Sequence, residues 1–411
     1  MKMKKFLAAV SSLVMLGAFT ACGSSSSDDS STNSNSNNSN SADATTKAND
    51  DTNTDNGGSD NTSAGGKTVG IAMPTKSLER WNRDGEYLKA QFEAAGYSVE
   101  LKYSDNNDNQ QNNDIQSMIA SNVDLLLIAA IDGSTLSQTL ADAKDAGIPV
   151  IAYDRLIMNT DAVSYYVSFD NYTVGKLQGE YVVDALDLEN NDGPFNIEFT
   201  AGDPADNNAG YFFNGAYDAV KKYIDDGKLN IASGKKKFEQ VATAQWSTDT
   251  AFSNMQNTLA SYYSDGTLLD VALCSNDSTA LGVAQAITSD YSGKNTPIVT
   301  GQDGDIANLK NIVDGKQSMT VYKNVNDEAA ATLEVSKAIL SGQTPDAGLV
   351  SSLSAEATYD TESYNNGVKV VPSYLLVPYV ITKDNLDVLV ETGLYKWDSE
   401  NKYLESTAST T

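Results

Sequence analysis

Histidine is absent from the 411 residues. That absence removes Ser-His-Asp and Cys-His nucleophilic chemistry and most zinc sites, which need an imidazole as base or ligand. Cysteine is nearly absent: only Cys22 and Cys274 occur, so there is no disulfide framework. Basic residues are scarce, 28 Lys and Arg against 55 Asp and Glu, for a formal net charge of −27. Nucleic acid, whose phosphates select for cations, is excluded as a partner, and the charge describes a soluble, self-repelling surface. No apolar run reaches the ~20 residues that cross a bilayer. There is no C-x-x-C and no glycine loop that cradles phosphate. Neither a metal nor a cofactor is implied.

What is present begins with an address. "MKMKKFLAAVSSLVMLGAFTAC" sets Lys2, Lys4 and Lys5 before an apolar stretch, Phe6 to Phe19, and small residues before Cys22. This is the order of a secretory signal. Its end resembles a bacterial lipobox, although Phe19 stands where such boxes usually have Leu. The resemblance implies that residues 1–22 are a lipoprotein signal and that Cys22 becomes the lipidated first residue. An ordinary cleaved signal without lipid is the alternative. Residues 23–66 are nearly all Ser, Asn, Asp, Thr and Gly, a composition that cannot bury enough surface to offset the entropy of ordering. They read as a disordered tether. The folded part is then expected outside the cytoplasm, at the membrane only through its anchor.

From Lys67 short apolar runs alternate with helical segments. "TVGIAMP", "SVELKYSD", "DLLLIAAID" and "IPVIAYDR" read as strands separated by helices over 78–95, 109–120 and 134–146. The rhythm restarts with strands at "FNIEFTAGD", Phe238–Ala242, "DVALCSND" and "PIVTGQDG" and helices over 207–223, 248–263 and 278–288. Such alternation predicts right-handed βαβ units, here two doubly wound α/β lobes with parallel sheets. Cys274 falls mid-strand, where a buried inert thiol is expected. "SDNNDNQQNND" has calcium-loop spacing at Asp105, Asn107 and Asn109, but Gln110 and Gln116 stand where Gly and Glu are needed. It reads as a polar loop leading into a helix.

Ligands of open parallel sheets sit beyond the carboxyl ends of the strands. Those ends are Pro74–Trp81, Asp132, Asp154-Arg155, Gly202–Asn208, Asn276-Asp277 and Gln302-Asp303. Asp132, Asp154, Asp277 and Asp303 accept hydrogen bonds; Lys76, Arg80 and Arg155 donate them. A phosphate or carboxylate ligand needs mainly cations, whereas this mixture fits a neutral polyol. Trp81 and Trp246 add plates on which a pyranose could stack. For each Trp, core packing is the competing reading; for each Asp, a helix cap or surface turn.

"GIAMPTKSLERW", "AAIDGSTL", "IAYDRLI", "YVSFDNYTVG", "GDPADNNA", "SNDSTALG", "GQDGD", "MTVYKNV" and "NGVKVVPSYLL" occur in this order between Lys67 and Lys396. Together they resemble the xylose-binding and multiple-sugar-binding proteins of bacterial ABC importers. The resemblance implies the type I periplasmic-binding fold, two lobes joined by a three-segment hinge. Crossovers would fall near Asp170-Asn171, Tyr322–Asn324 and Pro372–Pro378. The first lobe would comprise 67–170 and 323–371, the second 171–322 and 372–411. The family's ligand residues carry over to Arg80 and Trp81, with Lys76 possible, and to Asp132, Asp154, Arg155, Asn207 with Asn208, Trp246, Asp277, Asp303 and Lys323. Asn171 is read as either ligand or hinge.

The implied activity is capture of a monosaccharide of xylose, glucose, galactose or arabinose type by hinge closure. A monomer would deliver it to the membrane permease of an ABC importer. A sugar sensor presenting its closed form to a signalling receptor is the alternative. Catalysis is not expected: paired carboxylates could in principle cleave glycosides, but so many direct hydroxyl partners leave little room for an attacking water. A transcriptional repressor of related fold is disfavoured by the signal and by the lack of a helix-turn-helix before Lys67.

Overall fold

The computed structural model describes residues 66–407; the signal, Cys22 and the tether to residue 65 lie outside it, as do residues 408–411. β1 (Thr68–Met73) shows how the first half is built. Val69, Ile71 and Met73 join one apolar core with Leu88 and Phe92, while Ala72 joins another with Ile115 and Met118. A strand covered on both faces requires this: side chains alternate, and each face meets helices. The chain continues through α1 (Glu79–Ala94), β2 (Ser98–Tyr103), α2 (Asp108–Ala120), β3 (Leu125–Ile128), α3 (Ser137–Asp145), β4 (Val150–Tyr153) and β5 (Val163–Phe169). Asn107 caps α2, accepting from Gln110 N at 3.0 Å; the calcium-like loop is a helix start.

The second half follows with α4 (Asn171–Ala185), β6 (Phe195–Thr200), α5 (Asn207–Asp225), β7 (Leu229–Asn230), α6 (Phe238–Val241), α7 (Thr248–Tyr262), β8 (Val271–Cys274), α8 (Asp277–Asp290), β9 (Ile298–Val299), α9 (Ile306–Val313) and β10 (Met319–Tyr322). α10 (Val325–Leu340), β11 (Ala357–Asp360) and β12 (Ser373–Leu376) return to the first half, where α10 packs on α1. β13 (Tyr379–Thr382), α11 (Asp387–Glu391), β14 (Tyr395–Trp397) and β15 (Leu404–Ser406) complete the second.

The first sheet has seven strands in the order β11-β12-β5-β4-β3-β1-β2, parallel except for β11. The second is β7-β6-β8-β9, all parallel, extended by a parallel bridge from Gln302 to Val321 of β10. β13 pairs antiparallel with β10, and β14 with β15. The chain therefore passes between the halves after β5, after β10 and after β12. The third passage corrects the boundary set at 371/372: β12 pairs with Tyr166–Phe169 of β5, so the first half runs on to Leu376. The isolated apolar stretch "SYLL" carries no mark of which sheet it joins.

A second correction concerns Phe238–Ala242, expected as a strand. It is one helical turn, because Phe238 and Val241 lie three apart and both meet the second-half core. Gln240 Oε1 caps it, accepting from the backbone N–H of Lys236 and Lys237 at 3.1 Å each. The strand that takes the edge position is β7. Cys274 is fully buried, and burial pushes its thiol far above the ordinary range, so it is inert as expected.

Candidate functional site

The carboxyl ends of β1, β4, β6, β8, β9 and β10 face one gap between the halves. It is lined by Leu78, Arg80, Trp81, Asp154, Arg155, Asp206, Phe212, Trp246, Asn276, Ser278, Gln302, Asp303 and Lys323. Space not filled by atoms, counted out through the open mouth, is about 370 Å³.

Arg80 is the electrostatic centre. From α1 its guanidinium meets Asp154 at 2.6 Å, Glu328 at 2.9 Å and Asp84 at 3.2 Å in its own half, and Asp303 at 3.4 Å across the gap. Lys323, just past β10, meets Asp154 at 3.3 Å and Asp303 at 3.5 Å. Burial alone would push the Asp154 carboxyl up; Arg80, Lys323 and Arg155 outweigh it and bring it down to about 2. Asp84 and Glu328 move the other way. Burial pushes both above the usual carboxylate range against the pull of Arg80, and the Asp154 charge adds to it. The carboxyls with raised pKa, Asp84 and Glu328, thus lie behind Arg80, outside the lining of the gap, and the depressed one, Asp154, lies in front. Tyr153 Oη donates to Asp84 Oδ1 at 2.6 Å and fixes that rear clamp.

The aromatic walls are held by backbone and cations. Trp246 is 4% exposed and has φ 54°, following Gln245 at φ 56°. Two consecutive left-handed residues that are not glycine cost energy, and such strain clusters at binding sites. Asp154 (φ 56°) and Asp303 (φ 104°) share the feature. Gly202 makes room: a Cβ there would lie 1.9 Å from the Trp246 ring. Phe212 meets Trp246 edge-on at 6.1 Å. On the other side Arg155 lies 4.8 Å over the Trp81 ring, and its Nε is 3.0 Å from Asp206, the N-cap of α5.

Two buried atoms on this wall lack a partner within the protein. Gln302 donates through Nε2 to Ser275 O at 2.7 Å, while its Oε1 accepts nothing; Trp246 Nε1 donates to nothing. One is an acceptor and one a donor, the two roles of a hydroxyl. Asn276 spends its oxygen capping α8, from Thr279 N at 3.0 Å, which leaves its amide nitrogen to donate.

Of the residues expected from sequence, Arg80, Trp81, Asp154, Arg155, Trp246, Asp303 and Lys323 line the gap. The others do not. Lys76 is exposed, with its ammonium 4.9 Å over Tyr103. Asp132 closes a turn, accepting from Ser134 N at 2.8 Å and Ser134 Oγ at 2.6 Å. Asn207 begins α5 half-buried, beside Asp206, which takes its place on the wall. Asn208 is saturated behind the wall, donating to Asp154 O at 2.6 Å and accepting from Tyr166 Oη at 3.0 Å. Asn171, fully buried at the first crossing, donates to Tyr166 Oη at 2.9 Å, the position of a hinge support. Asp277 is fully buried and accepts from Gln317 Nε2 at 2.9 Å, Thr320 Oγ1 at 3.0 Å and Asp305 N at 2.9 Å. It braces the loop that carries Asp303.

Asn276, Ser278, Gln302, Asp206 and Phe212 were not singled out. Asn276 and Gln302 stood in the strand ends beside Asp277 and Asp303, and Asp206 within Gly202–Asn208, so the strand-end rule alone could have kept all three. Phe212 lies one turn into α5 and gave no signal.

Residues 69–344 match the family described as "Periplasmic binding protein domain". The chain is 45% identical over 335 residues, 80% of it and 91% of the relative, to the multiple sugar-binding periplasmic receptor of Rhizobium radiobacter. It is 34% identical, over 80% and 91%, to the D-xylose-binding periplasmic protein of Escherichia coli. Among solved structures, an ABC transporter solute-binding protein from Clostridium phytofermentans with bound β-D-glucose is 50% identical, with TM-score 0.76, 82% of this chain covered and 99% of that one. A carbohydrate transporter solute-binding protein from Chloroflexus aurantiacus in complex with D-glucose is 32% identical, with TM-score 0.71 and coverages of 82% and 98%. The chain belongs to the periplasmic sugar-binding proteins of ABC transporters, a family of type I periplasmic-binding fold that binds solutes and is not enzymatic.

Proposed function

We propose that the protein captures a single neutral monosaccharide ring between its halves and delivers it to an ABC importer in the membrane, tethered there by lipid on Cys22. The carrying observation is the pairing of unpartnered Gln302 Oε1 and Trp246 Nε1 with charges of both signs on one wall. An anionic ligand would face Asp154 and Asp303; a purely apolar one would leave the charges unpaired. Hydroxyls satisfy both roles, and each hydrogen bond to a charged group contributes roughly 1.5–3 kcal/mol before desolvation and lost motion. Trp81 and the Trp246–Phe212 pair flank the ring as apolar plates.

Arg80, Arg155, Asp154, Lys323, Asn276, Gln302, Asp303 and Ser278 contact the sugar; Asn171, Asn208 and Asp277 support them. Capture proceeds by hinge closure about the three crossings, the motion for which periplasmic binding proteins are a standing example. A sugar lacking one hydroxyl strands a buried polar atom, and this sets selectivity. The protein acts as a monomer.

The test is titration calorimetry of the purified chain with D-glucose, D-xylose, D-galactose and L-arabinose, with D-gluconate as an anionic control. Tight one-to-one binding of at least one neutral sugar and none of gluconate is expected; preference for gluconate would overturn the reading. The 45%-identical relative described as a receptor supports the second reading, in which the closed form also engages a signalling partner.

A further inference from the structure

Arg83 lies three residues after Arg80 on α1 but aims at the rim rather than the pocket. Its side chain is 10% exposed. Nη1 donates to Tyr395 Oη at 2.8 Å and to Gly304 O at 3.2 Å; Nη2 donates to Asp303 O at 3.0 Å and Asp305 Oδ1 at 3.1 Å. All four acceptors belong to the opposite half. Glu79, one turn earlier, adds a fifth crossing bond, accepting from Ile306 N at 3.3 Å. The C-terminal strand β14 prepares the receiving surface. Tyr395 Oη donates to Gly304 O at 2.9 Å while its ring packs edge-on against Tyr322 at 5.9 Å. Gly304 has φ +72°, and a Cβ there would lie 2.7 Å from the Tyr322 ring, so only glycine lets this loop reach the guanidinium. Arg83, Asp305 and Tyr395 do not line the sugar pocket, yet the loop they grip carries Gln302 and Asp303, which do.

We propose that Arg83, Asp305 and Tyr395 form a closure clasp, positioning residues that set sugar affinity by holding the halves shut without touching sugar. The inference rests on the sugar-capture reading. A guanidinium is suited to the task because its rigid fork satisfies several acceptors at once, where an ammonium is a point charge. These bonds exist only when the halves meet. Apparent affinity is the intrinsic affinity scaled by the closed fraction, so loss of the clasp weakens every sugar by the same factor. Loss of a pocket contact weakens sugars unequally, according to the hydroxyl it served. The clasp also acts after encounter, so its loss appears in dissociation rather than association.

The experiment uses full-length R83Q, with Y395F as a second variant that keeps the ring packing. Titration with D-glucose and D-xylose is combined with stopped-flow tryptophan fluorescence. R83Q raises Kd about tenfold or more, and Y395F a few-fold, by equal factors for both sugars and through faster dissociation with association unchanged. Unchanged Kd in R83Q, unequal factors, or an effect confined to association would overturn the clasp. If the wild-type chain bound neither of these nor D-galactose or L-arabinose, the capture reading would fall. The clasp would then be judged from small-angle scattering of the ligand-free proteins, where R83Q must be more expanded than wild type and an identical radius of gyration refutes it.

Discussion

Asp277 separates a ligand carboxylate from a structural one more sharply than any other position. Asp277→Ala removes the acceptor for Thr320 Oγ1, Asp305 N and Gln317 Nε2. Gln317 Nε2 keeps Met319 O at 3.1 Å, so two donors are stranded in a fully buried place. Each buried unsatisfied group costs about 1–3 kcal/mol. Part of this is offset, because burial and the neighbouring Asp305 and Asp303 already push the Asp277 carboxyl well up and make its charge expensive. A net loss of about 2–4 kcal/mol is expected. At about 2 °C per kcal/mol for a chain of this size, the melting temperature of the sugar-free protein falls by about 4–8 °C. Affinity weakens as well, since the loop bearing Asp303 loses its brace, but it is not abolished. Scanning calorimetry without sugar, followed by titration with sugar, checks both. A mutant with unchanged melting and no binding would make Asp277 a direct ligand and refute its placement behind the wall.

Trp246→Ala removes one apolar plate and an unpartnered donor; Kd rises about 10- to 100-fold, corresponding to about 1.4–2.8 kcal/mol, and calorimetry showing less than a threefold change would exclude stacking there. Asp154 has a depressed carboxyl, about 2 against an ordinary 3.8. Its stabilising contribution, roughly 2 kcal/mol, is therefore present above pH 3.8 and lost as pH falls from there through 2. Urea unfolding at pH 4.5 and 2.5 shows a smaller loss for Asp154→Asn than for wild type; equal losses would contradict the assignment. Cys22→Ala releases the protein from membranes; a variant that still pelleted with them would refute lipid anchoring.

The fold was legible because the strands of two-sided parallel sheets read as continuous apolar runs, as in "DLLLIAAID", and each is followed by a helical segment. Strand order, the edge strand β7 and the return of β12 to the first sheet were not, since pairing partners leave no local mark. In the site, the strand-end rule reached the right neighbourhoods but not always the right side chain. At "SND" and "GQDG" the charged residue drew attention, whereas Asn276 and Gln302 reach the pocket beside it. The turn after each strand decides which residues reach the gap: Gln302 and Asp303 both do, whereas Asn276 does and Asp277 does not. Asp303, Trp246 and Asp154 are aimed by positive φ angles, a property that sequence hides except at glycine. The segment Tyr364–Asn366, which carried no functional reading, is a packing element: the Tyr364 ring packs tilted against Tyr166 at 5.1 Å and against Tyr211 of the opposite half at 5.3 Å, and Asn366 donates to Thr160 O at 2.7 Å.

The central claim is that one neutral sugar ring is held by polar side chains of both halves between aromatic plates. A crystal structure of the chain with its tightest-binding monosaccharide tests this most directly. Sugar hydroxyls are expected on Gln302 Oε1, Asp303 and the Arg80–Asp154 pair, with the ring between Trp81 and Trp246. A sugar seated elsewhere, or one whose hydroxyls meet Asp277 and Asp132 while Gln302 and Trp246 stay unpartnered, would contradict it.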